Sequence, residues 1–173
     1  MEITVRNKLE VTGKGILVAT KAGTRKFDKD GSMTDLGEIV EVVETGNIIC
    51  NEGLLLLAGF ARDESATYDT GITYCEIGTG ATAPAAGDIT LTTFHHRNAK
   101  TNSSRSDYED TFSTFFTAAE STANIKEASV WGGGDAAAGE ATGLLFAHWL
   151  AAFDNSGGLY DITINYVLTF ARG

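Results

Sequence analysis

A chain of 173 residues is long enough for one compact domain with its own core and short for two. Hydrophobic residues at 43% and charged ones at 21% exclude wholesale disorder, and 20 glycines, 22 threonines and a single proline suit short strands joined by glycine turns better than a helical bundle. A formal net charge of −10, with Arg and Lys scattered rather than clustered, repels phosphate and argues against nucleic-acid binding.

Along the chain, Met1-Glu2-Ile3-Thr4-Val5-Arg6 has no positively charged leader ahead of an apolar run, so no secretory signal is expected, and the chain reads as a soluble protein made in a cytoplasm. Residues 15–20 read as a strand, 21–24 and 28–32 as turns, and 38–44 as a second strand ending at Thr45-Gly46-Asn47. Leu54 to Arg62 is a leucine and alanine run with no β-branched residue, which predicts one short helix. The longest apolar stretch, Leu54 to Ala61, is far short of the ~20 residues that a membrane helix needs.

From Gly71 the β character returns, with strands expected at 72–77, 89–94, 111–118 and 124–131 and a polar stretch at 98–107. Residues 143–153 are apolar on both faces, which fits a central strand or a buried helix. The last strand is the clearest, because Ile162, Ile164, Tyr166, Leu168 and Phe170 alternate with Thr163, Asn165, Val167 and Thr169. About eight short strands without a βαβ rhythm predict a mostly-β, jelly-roll-like antiparallel β-sandwich with one short helix. Residues 1–46 read as an N-terminal β-hairpin region or arm, and 47–173 as the main sandwich domain.

Chemical motifs are few. Aligning Gly31 with the sixth position of a calcium loop puts Lys26 at the first and Gly37 at the twelfth, so both ends fail, and a hairpin turn explains Asp30-Gly31. Gly78, Gly80 and Ala83 have dinucleotide-fingerprint spacing, but Pro84 and Gly87 break the helix that the motif requires. His95 and His96 are neighbours on a strand and point to opposite faces, while His148 reads as a satisfied interior residue. Cys50 and Cys75 have no metal or redox spacing and read as small buried side chains, with a native disulfide as the other reading. Ser156-Gly157-Gly158 fits a hairpin turn, and no Gly-x-Ser-x-Gly elbow exists. Asn102-Ser103-Ser104 fits a glycosylation sequon but, with no signal peptide expected, reads as a polar loop. Catalytic, cofactor-binding and metal-binding residues are therefore not assigned. The aromatics Phe112, Phe115, Phe116, Trp131 and Trp149 read as sandwich core or, more sharply, as an exposed face for subunit contact or carbohydrate stacking.

The order of landmarks carries a resemblance. Asn47-Ile48-Ile49-Cys50-Asn51-Glu52-Gly53-Leu54 resembles the N-x-I-x-N-x-G-L helix start of small virion structural proteins of tailed bacteriophages, a group of tail, fibre and head-decoration proteins. A strand and glycine-rich turn follow at Tyr74 to Asp88, then Leu91 and Arg97, an I-x-E-A strand at Ile125-Lys126-Glu127-Ala128 and an alternating C-terminal strand ending in Thr169-Phe170. The chain departs from the pattern at Ala128-Ser129-Val130-Trp131, where the group has a glycine and a small apolar residue, and at His95-His96 before Arg97. The resemblance implies a structural role with no catalytic residues and no cofactor. It points to an external capsid decoration (cement) protein of the virion, homo-oligomeric with a trimer favoured, bound to the major capsid protein or other virion proteins. A tail, baseplate or fibre component, with a carbohydrate-binding receptor tip, is the alternative.

Overall fold

Two antiparallel five-stranded sheets pack face to face as a β-sandwich in the computed structural model, which describes residues 9–30, 33–35, 37–62 and 70–172. The first sheet has the order β4 (Ile39–Gly46), β1 (Leu9–Lys21), β12 (Tyr160–Arg172), β9 (Glu109–Phe116) and β8 (Asn102–Ser106). The second runs β5 (Ile48–Ile49), β11 (Leu144–Asp154), β10 (Asn124–Gly132), β6 (Ile72–Gly78) and β7 (Phe94–Ala99). A small separate ribbon pairs β2 (Lys26–Phe27) with β3 (Met33–Asp35). The described part of residues 1–46, expected as a hairpin region or arm, supplies β1 to β4, and β1 lies between β4 and β12. Gly31 and Ser32 of the acidic turn, and Met1 to Arg6, lie outside the described residues. Within that turn the Asp28 carboxylate accepts the Asp30 amide at 3.0 Å.

Period-2 alternation decides which side chains fill the interior. Along β12, Ile162, Ile164, Tyr166 and Leu168 are buried, and Leu17 and Ala19 of β1 join them. Tyr166 is the centre of an aromatic group. Its ring stacks on Trp149 at 5.6 Å and on Phe112 at 6.4 Å, and meets the edge of Phe146 at 6.0 Å. Gly15, paired with Tyr166 across the ladder, lets β1 pass this group, because a Cβ there would run into the indole of Trp149. Asn47 donates to the Tyr166 hydroxyl at 2.9 Å, so the phenol keeps a polar partner in the core.

The helix α1 (Asn51–Arg62) starts three residues earlier than the leucine run suggests, and Glu52 in its first turn accepts the Leu145 amide at 2.8 Å. Gly53, Leu56 and Gly59 form its buried stripe toward β11, leaving Leu54, Leu55 and Phe60 about half exposed. No helix among the described residues is long and apolar enough to cross a membrane.

Three local expectations are corrected. Residues 89–93 form no strand, because the Thr92 and Thr93 amides turn inward to a carboxylate instead of pairing in a ladder. The polar stretch 98–107 is not a simple loop but contributes the end of β7 and all of β8, an edge strand whose polar residues stay in solvent. Twelve strands are formed among the described residues rather than about eight, the added ones being mostly short or polar. Residues 144–154 form a strand between β5 and β10, which settles the helix alternative.

Candidate functional site

The second sheet is buried on both faces. Along β6, Cys75 and Ile77 belong to the sandwich interior, while Tyr74 and Glu76 point to the opposite side, where Glu76 is nonetheless fully buried. The register sets Arg97, Glu76, Ser129 and His148 in one row across β7, β6, β10 and β11. Beside that row Cys50, Trp131 and Leu145 form a small apolar cluster with Tyr74 packed against it. The connections 79–93, between β6 and β7, and 133–143, between β10 and β11, fold back onto this layer.

One carboxylate holds both ends of the first connection. Glu127 Oε1 accepts the amides of Gly80 at 2.9 Å and Thr93 at 2.7 Å, and its Oε2 accepts the Thr92 amide at 3.0 Å. Gly80 is required by close approach, since a Cβ there would collide with the Glu127 carboxylate and the Thr92 side chain. His148 extends the clamp to the middle of the loop. Its Nε2 lies 3.1 Å from Glu127 Oε2 and its Nδ1 lies 2.8 Å from Asp88 Oδ2. Carboxylate oxygens only accept, so a ring carrying a proton on each nitrogen satisfies both contacts. The same Asp88 oxygen accepts the Ala85 amide at 2.8 Å, and the Asn51 amide donates to the Ala86 carbonyl at 2.8 Å. Burial alone would raise the Asp88 carboxyl, but the Ala85 amide and the His148 ring outweigh it and hold the group below the ordinary aspartate range.

A buried ion pair holds the second connection. Arg97 donates through Nη1 to Glu76 Oε1 at 2.7 Å and through Nη2 to the Thr142 carbonyl at 2.8 Å. The Ala141 amide donates to the same Glu76 oxygen at 3.0 Å. The guanidinium stands 4.6 Å from the Tyr74 ring centre and 5.1 Å from that of Trp131. Burial pushes the Glu76 carboxyl above the ordinary range, against the opposing pull of the Ala141 amide and Arg97.

This arrangement holds loops in place. Each of its acids is engaged by backbone amides, an imidazole or a guanidinium, with Glu76 held through Oε1 alone while its Oε2 is buried without a hydrogen-bond partner among the described residues. Burial, with Asp88 and Glu52 adding to it, pushes the Cys50 thiol up to about 12, so it stays protonated at neutral pH. Ser129 Oγ accepts the Trp131 indole N–H at 2.8 Å. Among the described residues no group of three His, Cys, Asp or Glu side chains is disposed to hold a metal ion.

Of the two sequence readings of the aromatics, sandwich core or exposed face, burial supports the core for three of the five. Trp131, Trp149 and Phe116 are enclosed, because Trp149 and Phe116 take inward positions and Trp131 lies in the layer beneath the connections. Phe112 is half-buried against Tyr166, with Lys100 Nζ 5.4 Å from its ring centre. Phe115 is also half-buried, under the Arg25 guanidinium at 4.1 Å.

The other motifs find ordinary places. Cys50 and Cys75 are both free and buried. His96 turns toward Phe116, with its Nε2 3.7 Å from Glu120. The Gly80 amide serves Glu127, and no helix follows it. Ser156 sits in the β11–β12 turn, where Asp154 accepts its amide at 3.0 Å. Sequence reading missed Glu127, Asp88, Glu76 and Arg97. The available signal was a charge interrupting an apolar strand run, at Cys75-Glu76-Ile77 and at Glu127-Ala128-Ser129-Val130. No protein-family model, no curated protein and no solved structure matches the chain.

Proposed function

We propose that this chain is a non-enzymatic structural subunit of a tailed-bacteriophage virion, an external capsid decoration (cement) protein acting as a homo-oligomer, with a trimer favoured. Its partner on this reading is the major capsid protein or another virion protein. The observation that carries a binding role is apolar surface on β4 and α1, where large apolar side chains stay in solvent. Ile39, Val40 and Val42 of β4, and Leu54, Leu55 and Phe60 of α1, are each roughly half exposed. β4 is also the end strand of the first sheet, with one edge unpaired among the described residues. Many copies on a symmetric lattice make a weak contact of this kind effective. The phage assignment rests on the ordered landmarks from Asn47 to Phe170, and the net charge of −10 favours a position away from packaged DNA.

Quantitative mass spectrometry of purified parent virions, referenced to the major capsid protein, tests this. Hundreds of copies per particle are expected for a decoration protein. A handful to a few tens would replace that reading with a tail, baseplate or fibre component. Particles without the chain would overturn the virion reading altogether.

A further inference from the structure

At one end of the sandwich the two sheets part beside α1 and leave a cleft of about 280 Å³. Its floor is Leu56 and Phe146, one wall is Phe112, Leu168 and Phe170, and Phe60 stands at the helix side. A cavity of roughly 150 Å³ lined by such residues accommodates benzene, so this one has room for a chain of about ten carbons. The rim is charged. Arg105 and Asp110 consume each other's charge through two hydrogen bonds, at 2.7 and 2.8 Å. Lys100 also lines the cleft, and no carboxylate among the described residues pairs with it, although the chain carries 23 acids against 13 bases. Its ammonium rests near the Phe112 ring, where the apolar lining meets solvent.

We propose that this cleft binds an amphipathic carboxylate of medium chain length, with the alkyl chain between Phe112, Phe146 and Leu168 and the carboxylate on Lys100. An apolar wall set with a single convergent cation is the usual form of a small-ligand site, and an unpaired ammonium at the mouth selects an anionic head over a neutral one. The neutralised Arg105–Asp110 pair puts no net repulsion beside that head. This inference stands apart from the virion assignment, since it depends on the monomer's cleft and not on any particle.

Isothermal titration of the full chain with decanoate, and with decanol as the neutral comparison, tests it. One saturable site for decanoate is expected, with decanol weaker by about fivefold, the upper end of what one exposed ion pair supplies. Lys100→Gln should remove that preference, and Lys126→Gln, at an exposed position of β10, should leave it intact. Phe60→Ser, at a half-exposed position, should weaken both ligands, and decanoate should shift the Phe112 and Phe146 ring resonances. No saturable decanoate binding, equal affinity for decanol, or an unchanged preference in Lys100→Gln would each overturn the proposal.

Discussion

His148 Nε2 and Glu127 Oε2 lie 3.1 Å apart on neighbouring strands β11 and β10, and together they hold a connection that belongs to neither strand. Glu127 takes the amides at both ends of the 79–93 loop, and His148 passes the contact on to Asp88 near its middle. Fifteen residues without regular structure are long for a compact domain, and such a loop needs internal partners to stay in one conformation. Here one buried carboxylate replaces the hydrogen bonds that a strand ladder would otherwise provide.

Replacing Glu127 with glutamine keeps the size and reverses half of the chemistry. An NH₂ group then faces amide donors, and at least one buried backbone N–H loses its acceptor. The expected cost is about 3 kcal/mol of unfolding free energy, the scale found when one partner of a buried charged contact is removed. Urea denaturation measures it, and amide exchange should accelerate mainly in residues 79–93. A folded variant whose loop exchanges as slowly as the parent would show that Glu127 is not the anchor.

Acid should destabilise the fold for a reason that can be assigned. Asp88, Glu120, Asp35 and Asp154 are all held below their ordinary values by hydrogen bonds or opposite charge. A carboxyl depressed in the folded state contributes stability above its unfolded value, and that contribution is lost as pH falls through the folded one. Glu76 has the opposite sign. Burial raises it, so its contribution is complete below the unfolded value and declines as pH rises through the raised one. Four groups against one make the net effect a loss of stability below about pH 4. Thermal melts from neutral to acid pH should show that decline, and Asp88→Asn should make it shallower. An identical acid profile in that variant would remove Asp88 from the explanation.

The two sheets were legible because alternation is strong where one face meets the core. β12 shows it along Ile162 to Phe170, and every one of those expected inward positions lies on the interior side. The layer under the connections was illegible for the converse reason. Glu76 and Glu127 stand on the face that alternation assigns to solvent, and only the return of two distant loops buries them, whereas His148, in a run apolar on both faces, reads from sequence as the satisfied interior residue it is. Ile89 shows the same limit from the other side. Its apolar neighbours suggest a strand, yet it is exposed, because the amides of Thr92 and Thr93 bind Glu127. Trp131 kept both readings, core and exposed face, for want of any local sign that the 133–143 connection would return over it.

Both thiols should be unreactive in the native protein. Cys50 is pushed up to about 12 and Cys75 is raised further, chiefly by burial, and neither has exposed surface. With Ellman's reagent near pH 8, native protein should release almost no chromophore, and two thiols per chain should react in denaturant. Fast native labelling of Cys50 would mean that the α1 end of the outer layer opens readily. Fewer than two thiols in denaturant would indicate a disulfide and contradict the free pair.

Gly15 and Trp149 provide a test of packing that carries its own control. A methyl at residue 15 would meet the indole, and the indole cannot swing aside because Tyr166 stacks on it at 5.6 Å. Gly15→Ala should therefore cost about 1–3 kcal/mol, the range for overpacking a filled core. Trp149→Phe should also destabilise, through the space it leaves beside Tyr166. In the double variant the methyl occupies part of that space, so the combined loss should be smaller than the sum by about 1 kcal/mol. Urea unfolding followed by circular dichroism measures all four proteins without relying on tryptophan fluorescence. Strict additivity would separate the two sites and remove the indole as the reason for the glycine.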